Sequence, residues 1–179
     1  MRIISGSHKG KRLTAPKKLP VRPTTDMAKE GLFNILNNSY HFSQIRVLDL
    51  FAGTGNISFE FASRGTKLIT AVDKHYGCVN YISKISEELD FNIQTIKSDV
   101  YSYLEKVSGT YDIIFADPPY DFSLNDFEKI VSLVFEKALL KDDGQLIIEH
   151  SKHTKLDHVP YLTNARKYGG SVFSFFSAV

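Results

Sequence analysis

The segment Asp117-Pro118-Pro119-Tyr120 has the residue types needed to hold a flat group that carries an amino nitrogen. It follows Tyr111–Ala116, an apolar run with the length of a buried strand. A residue before proline avoids the α region, and Pro119, which has no N–H, leaves the Pro118 carbonyl free to accept a hydrogen bond. The Asp117 carboxylate and the Pro118 carbonyl then form two rigid acceptors beside the Tyr120 ring. That ring is expected to stack on a base, with a gain of about 1–3 kcal/mol.

A glycine turn provides the second candidate site, in the segment from Asp49 through Phe51 to Gly55. Gly53 and Gly55 lie where a buried strand gives way to a helix, so the backbone can turn sharply and a ligand can approach it closely. The turn also leaves helix N-terminal N–H groups free to meet that ligand. We predict that Asp49, Phe51, Gly53 and Gly55 bind a cofactor.

Two more acids follow the next two predicted strands, at the same edge of the sheet. Asp73 comes about 20 residues after the turn, where a carboxylate can accept hydrogen bonds from ribose hydroxyls. Asp99 follows the third strand, where it could accept from an adenine amino group. Each acid alone could instead be a helix cap, but acids at three successive strand ends indicate a cofactor site.

The pattern of this turn also indicates which cofactor it suits. A dinucleotide site requires a third glycine, and Ser58 occupies that position. Asp49, directly before the turn, would repel a pyrophosphate but attract an amino group. S-adenosylmethionine, with a ribose, an adenine and a cationic methionine end, therefore fits these charges better than NAD does.

Together the two sites predict methyl transfer to an exocyclic amine. The lone pair of such a nitrogen is delocalised into the ring, which makes it a poor nucleophile. Acceptors that hold both hydrogens favour a pyramidal nitrogen, aim its lone pair at the methyl group and stabilise the developing positive charge. No metal, covalent intermediate or strongly shifted base is required. The alternative is a Pro-Pro turn that closes a strand and leaves a tyrosine exposed.

The elements that must position these residues alternate between strands and helices. A helix of about a dozen residues starts near Thr24 or Thr25, either of which can cap it. The predicted strands are 47–51, 68–72, 93–96, Tyr111–Ala116 and 145–149. The predicted helices between them are 76–89, 100–107 and 127–139, the last with Ser123 as its cap. This order predicts an α/β, doubly wound, mostly parallel sheet covered on both faces. Residues 161–165 and 172–176 predict an antiparallel edge hairpin.

The N-terminal segment is strongly basic although the whole chain has a net charge of only +2. Residues 1–25 contain seven Lys and Arg residues and no acid. Such an arm can neutralise nucleic-acid phosphates, and Lys9, Lys11, Arg12 and Arg22 are the candidate contacts. The alternative from charge alone is a solvated tail. Its glycines, prolines and short apolar pieces favour a small hairpin or extended segment.

Composition excludes several classes of protein. With 179 residues, 42% hydrophobic and 23% charged, the chain is an ordinary globular domain, neither disordered nor collagen-like. The single cysteine, Cys78, excludes a disulfide scaffold and predicts a reducing compartment and a bystander thiol. We find no apolar run of the ~20 residues needed to span a bilayer and no secretory signal, so a cytoplasmic protein is expected.

Three histidines, at positions 150, 153 and 158, lie near Glu149 and could suggest a metal site. Their spacing matches no closed zinc set. We therefore expect surface histidines and no metal.

The whole chain resembles the bacterial small-subunit (16S) ribosomal RNA guanine-N2 methyltransferases, which use S-adenosylmethionine to modify one guanine in the 30S head. The Asp-Pro-Pro-Tyr segment is shared by many amino-methyltransferases, so the specific resemblance depends on other segments. These are Arg2-Ile3-Ile4, Lys9-Gly10-Lys11-Arg12-Leu13, Arg22-Pro23-Thr24 with Glu30 and Leu32-Phe33-Asn34-Ile35-Leu36, Leu48-Asp49-Leu50-Phe51-Ala52-Gly53-Thr54-Gly55, and Ser63-Arg64-Gly65.

The resemblance implies a seven-stranded class I methyltransferase domain over residues 24–179 and a basic hairpin over 1–23 that helps to hold RNA. It also implies that the cofactor lies over the glycine turn and that Asp117, Pro118 and Tyr120 hold the target guanine. Ribosomal RNA or the small subunit would be the partner, and a monomer is expected. Four positions depart from the family pattern: Ser5 replaces glycine, Lys29 arginine, Asp73 glutamate and Ile85 asparagine. The first two put some RNA contacts in doubt.

Two other functions remain open at the level of sequence. The first is an amino-methyltransferase of DNA adenine or of a protein amide, although a DNA enzyme normally carries a separate base-recognition domain. The second is a non-catalytic RNA-binding module with the same fold, against which the intact Asp117 argues.

Overall fold

The computed structural model describes residues 1–178, so Val179, the last residue of the predicted domain 24–179, lies outside the described residues. The helices are α1 (Asp26–Asn37), α2 (Asn56–Ser63), α3 (Tyr76–Glu88), α4 (Val100–Lys106) and α5 (Leu124–Glu136), with a 3-10 turn at Phe42–Gln44. The strands are β1 (Arg46–Leu50), β2 (Leu68–Asp73), β3 (Ile93–Lys97), β4 (Tyr111–Ala116), β5 (Leu140–Ser151), β6 (Leu162–Tyr168) and β7 (Ser171–Phe176).

The strands form one seven-stranded sheet in the order β3-β2-β1-β4-β5-β7-β6. Strands β1 to β5 pair in parallel, whereas β7 runs antiparallel to both β5 and β6. The predicted doubly wound sheet with an antiparallel hairpin is therefore confirmed. The strand order reverses between β1 and β4, and in open α/β sheets ligands bind outside the carboxyl ends of the strands at such a point.

Each face of the sheet is covered by helices that bury one apolar stripe. One face packs under α1 and α2 through side chains such as Leu32, Phe33 and Phe61. The other packs under α4 and α5 through Leu104 and Ile130. Both faces of the central strands are buried, as expected for strands that read as continuous apolar runs.

The predicted boundaries of α5 and β5 were wrong. The helix begins three residues earlier than the prediction of 127, because Ser123 and Asp126 form a capping box. It ends at Glu136 rather than 139, since Ala138 has a φ of 50° and turns the chain out of the helix. The next strand consequently starts at Leu140, five residues before the predicted position 145.

The basic arm forms the hairpin that its sequence favours. Arg2 and Arg12 make an antiparallel bridge, and the Ile3 N–H donates to the Lys11 carbonyl at 2.9 Å. Ile3 and Leu13 are buried against the domain. The hairpin is thus packed on the body, and its cations remain at the surface.

A buried carboxylate in α2 anchors this hairpin. Glu60, with no exposed surface, accepts the backbone N–H groups of Ile4 at 2.9 Å and Ser5 at 3.1 Å. Its oxygens also contact Lys29 Nζ at 3.3 Å and Arg64 Nε at 2.8 Å. Lys29 is fully buried, so it is a structural residue and cannot contact RNA.

No helix among residues 1–178 combines the length and the apolar character required to cross a membrane. Over the same residues there is no cluster of three or more His, Cys, Asp or Glu side chains arranged to hold a metal ion.

Candidate active site

A cavity of about 1110 Å³ opens at the carboxyl edge of the sheet, beside the point where the strand order reverses. Its walls include ten of the predicted site residues: Arg22, Asp49, Phe51, Gly53, Asp73, Asp99, Asp117, Pro118, Pro119 and Tyr120. Gly55 lies behind the wall as the N-cap of α2, and the hairpin cations Lys9, Lys11 and Arg12 lie outside the cavity. The structure therefore brings together two sets of residues that are some 60 positions apart in the sequence.

The glycine turn has the backbone conformation that its sequence predicts. Gly53 and Gly55 have φ angles of 56° and 81°, in the left-handed region that glycine adopts without strain. A Cβ on Gly55 would come within 2.9 Å of the Phe59 ring, and one on Gly53 within 3.3 Å of Val21. Gly55 is thus closely packed from behind, whereas Gly53 presents bare backbone to the cavity, opposite Val21.

The two acids after the glycine turn differ in how they are held. Asp73 ends β2 and accepts the N–H groups of Gly53 and His75, both at 2.9 Å, which ties the turn to the neighbouring strand. Asp99 does not end β3, which stops at Lys97. It is the N-cap of α4 and accepts the Ser102 N–H at 3.0 Å. Both acids still line the cavity.

Asp49 is almost completely buried at the end of β1, with 2% of its surface exposed. Burial raises the pKa of its carboxyl to about 7. A hydrogen bond from Ser58 Oγ at 2.6 Å acts in the opposite direction, but its effect on the pKa is smaller. In the sequence, Ser58 stood out only because it replaces the third glycine of a dinucleotide-binding turn. In the structure its hydroxyl donates to the Asp49 carboxylate, which lines the cavity.

Replacing Asp49 with asparagine is expected to stabilise the unliganded protein at pH 8. The folded state raises the pKa of Asp49, so folding takes up a proton and stability falls as the pH rises from about 4 to about 7. Asparagine has the same shape, still accepts the Ser58 hydrogen bond and carries no charge. We expect a midpoint of thermal unfolding about 4 °C higher at pH 8, a difference that narrows towards pH 5. If the difference in unfolding midpoint between the two proteins did not change with pH, the raised pKa of Asp49 would be contradicted.

The Asp-Pro-Pro-Tyr segment leaves β4 at the mouth of the cavity. Pro118 is buried, whereas Tyr120 is 92% exposed, so its ring can meet an incoming base. Phe122, two residues further on, packs against Phe51, with ring centroids 5.5 Å apart. An aromatic cluster thus supports the corner that the two prolines stiffen.

Three carboxylates gather on one face of the sheet beside this corner. Asp49 and Phe115 are paired neighbours on β1 and β4, and Asp117 and Glu149 directly follow the paired residues Ala116 and Ile148. Burial, and then the charges of Glu149 and Asp49, raise the pKa of Asp117 well above its usual range. The sequence suggested that no group with a strongly shifted pKa was needed, whereas the structure raises the pKa of Asp117.

Glu149 is a site residue that the sequence reasoning missed. It lines the cavity and is buried, and burial raises its pKa. The signal was available, because Glu149 directly follows the apolar run of β5 at the same sheet edge as the other acids.

The expectation of surface histidines was wrong for one of the three. His150 is buried, its Nε2 lies 2.7 Å from Ser174 Oγ, and burial lowers its pKa. His153 and His158 are exposed, as predicted. Cys78 is buried, and burial raises the pKa of its thiol to about 11, so it is a poor nucleophile.

The residues of the cavity fit the S-adenosylmethionine that the sequence predicts. Six acids line it, against two Lys or Arg residues, a charge balance that suits a cationic ligand and disfavours a polyphosphate. The bare backbone at Gly53 permits close approach, and Asp73 and Asp99 offer acceptors for hydroxyl and amino groups. The volume also leaves room for a base beside the cofactor.

Comparison with known proteins agrees with this interpretation. A family model described as "Conserved hypothetical protein 95" matches residues 1–177. YlbH from Bacillus subtilis is 33% identical over 161 residues, which cover 87% of this chain and 85% of YlbH. Ribosomal RNA small subunit methyltransferase D from Haemophilus influenzae is 32% identical over 161 residues, 87% of this chain and 81% of that protein.

A solved structure has the same fold over almost the whole length. The structure of yhhF from Escherichia coli superposes with a TM-score of 0.84 at 28% identity and covers 98% of this chain and 96% of yhhF. The resemblance seen in the arm and the glycine turn is thereby confirmed. The chain belongs to the Conserved hypothetical protein 95 family, together with the ribosomal RNA small subunit methyltransferases D.

Proposed function

We propose that this protein transfers a methyl group from S-adenosylmethionine to the exocyclic N2 of a guanine in small-subunit ribosomal RNA. The observation that carries the proposal is the pair of acceptors on Asp117 and Pro118, which meet the glycine turn in one cavity. Membership of a family with ribosomal RNA small subunit methyltransferase D supports RNA as the substrate.

The cofactor residues act through shape and charge. Asp49 would attract the amino group of the methionine end, and Asp73 and Asp99 would accept hydrogen bonds from the ribose and the adenine. Gly53 and Gly55 keep the backbone bare, and Phe51 lines the turn. When bound, the cofactor supplies a methyl group activated by a positively charged sulfur.

The substrate residues position the amine. Asp117 and the Pro118 carbonyl accept its two hydrogens, which makes the nitrogen pyramidal and stabilises the positive charge that develops on it. Tyr120 stacks on the base, and Pro119 fixes the backbone between them. The raised pKa of Asp117 makes its carboxylate a suitable acceptor for the proton that the nitrogen then loses.

The hairpin 1–23 supplies the contacts to RNA phosphates, on a methyltransferase domain that spans 24–179. Lys9, Lys11 and Arg12 are exposed and form no ion pair among the described residues, so their charge is available to a polyanion. Arg22, near the end of this segment, lies at the cavity wall. We also propose that the protein acts as a monomer, and ribosomal RNA as its substrate supports the cytoplasm as its location.

The proposal is tested by mass spectrometry of nucleosides from small-subunit ribosomal RNA. RNA from cells that lack the gene should lose one N2-methylguanine, and the purified protein with S-adenosylmethionine should restore it. An unchanged guanine together with a lost N6-methyladenine would favour a different amino-methyltransferase. If no modified base is lost and calorimetry detects no cofactor binding, the protein is a non-catalytic RNA-binding module.

Reversing the charge of Lys9, Lys11 and Arg12 to glutamate is expected to weaken RNA binding and to flatten its salt dependence. Each phosphate contact contributes about 0.7 to 0.9 to the slope of log affinity against log salt concentration. Three lost contacts should lower that slope by about 2. The measurement is a titration of small-subunit ribosomal RNA at several salt concentrations.

The matched control reverses three exposed lysines elsewhere, Lys67, Lys84 and Lys106. Lys67 precedes β2 and Lys106 ends the helix before β4, so both lie towards the amino edge of the sheet, away from the cavity. The control should leave the salt slope nearly unchanged. Equal losses in both triple variants would show that net charge, rather than the hairpin, determines RNA binding.

A further inference from the structure

Glu149 lies beside Asp117 on the next strand, on the face of the sheet that carries Asp49. The last pair of the parallel β4–β5 register is Ala116 with Ile148, and the next residue on each strand is an acid. Glu149 is 7% exposed and lines the same cavity as Asp117 and Pro118. Its carboxylate therefore faces the base site from the side of β5.

The hydrogen bonds that the Glu149 carboxylate accepts from the protein leave some of its acceptor positions unused. The Thr24 hydroxyl donates to Oε2 at 2.5 Å, and the Ser171 side chain also stabilises the ionised form. A carboxylate has roughly four acceptor positions, so about half of them remain for a ligand. No Lys, Arg or His of the described chain forms an ion pair with Glu149.

The donor pattern of guanine matches three acceptors at this corner. Its N2 amine presents two hydrogens, for which Asp117 and the Pro118 carbonyl are the acceptors in the proposed function. The adjacent ring nitrogen N1 carries a third hydrogen on the same edge. A buried carboxylate next to Asp117 can accept it, whereas a purine with an unprotonated N1 would place a lone pair against that carboxylate.

We infer that Glu149 accepts the N1–H of the target guanine and makes the site select guanine over purines that have the amine but lack this hydrogen. The inference rests on the proposed function. It adds a specificity residue that acts on substrate choice and takes no part in the methyl transfer itself.

The test compares guanine with 2,6-diaminopurine, which keeps the N2 amine but has no hydrogen on N1. The analogue is ligated into 16S ribosomal RNA at the position that the wild-type protein methylates, and kcat/KM is measured on both RNAs. Wild type should prefer guanine by at least about 100-fold, since a site built around a hydrogen bond rejects an analogue that lacks it. In E149Q, guanine turnover should fall about 30-fold and diaminopurine turnover less than about 3-fold.

A matched variant separates specificity from structure. Thr24→Val removes the hydroxyl that Glu149 binds but leaves the carboxylate in the cavity. If Glu149 served only to hold Thr24, both variants would lower turnover of the two RNAs by the same factor. We expect Thr24→Val to keep the wild-type preference for guanine, and E149Q alone to reduce it.

The outcomes also separate this inference from the proposed function. If wild type forms no N2-methylguanine, the proposed function fails and the comparison of bases has no basis. If wild type methylates guanine and E149Q keeps its full preference over diaminopurine, the proposed function stands and the role of Glu149 is overturned. The role is equally overturned if E149Q lowers turnover of both RNAs by one factor.

Discussion

Replacing Asp117 with alanine is expected to abolish methyl transfer while leaving the affinity for S-adenosylmethionine within a few-fold of wild type. In the proposed function, the variant removes the carboxylate that holds the amine and stabilises its developing charge. Preorganised groups of this kind contribute about 100- to 1,000-fold each, and loss of the proton acceptor adds a further factor of about 100. The rate of transfer to small-subunit ribosomal RNA should therefore fall at least about 1,000-fold.

The variant should remain folded, because the carboxylate it removes is itself unfavourable in the unliganded protein. Burial and two neighbouring acids raise the pKa of Asp117, so its ionised form destabilises the empty cavity near neutral pH. A thermal unfolding midpoint at or above that of wild type is the expected check. Asp121→Ala, an exposed acid four residues further on, is the matched control and should retain full activity. Full activity in Asp117→Ala, or an equal loss in both variants, would remove Asp117 from the mechanism.

The parts of the fold that the sequence predicted well are those determined by nearby residues. The strand Tyr111–Ala116 was predicted with the bounds that the structure has. Thr25 caps α1 by accepting the Ala28 N–H at 3.2 Å, one of the two candidates. The glycine turn has the expected conformation, since left-handed φ angles are a local property. Such signals extend over only a few residues, and the sequence displays them directly.

The features of the fold and the site that could not be predicted from the sequence depend on contacts between distant residues. Nothing near Lys29 indicates that it is buried, because its partner Glu60 is 31 residues later and the Arg2 carbonyl to which it donates is 27 residues earlier. His150 is buried by its contact with Ser174, 24 residues later. The strand end at Glu149 is visible in the sequence, but the register that sets it beside Asp117 follows from the parallel pairing of β4 with β5. In each case, a side chain with an ordinary surface preference is determined by tertiary structure.

One helix connects the glycine turn to the N-terminal hairpin. Helix α2 starts at the glycine turn, where Gly55 is its N-cap, and one turn later presents Glu60 to the hairpin. The glycine turn and the N-terminal hairpin are therefore held by the same eight residues. A change that loosens Glu60 should disturb the position of the arm relative to the cavity as well as the stability of the protein.

Replacing Glu60 with glutamine is expected to lower the free energy of unfolding by about 3–5 kcal/mol, because removing one partner of a buried ion pair leaves the other charge uncompensated. Lys29 and Arg64 would lose their carboxylate, and the hairpin N–H groups would lose one acceptor. Burial already lowers the pKa of Lys29, and Glu60 opposes that shift. The measurements are urea unfolding at pH 7 and the rate of tryptic cleavage within residues 1–23, which should rise. Glu87→Gln, at an exposed glutamate of α3, should change neither, and equal effects of the two substitutions would show that Glu60 does not anchor the arm.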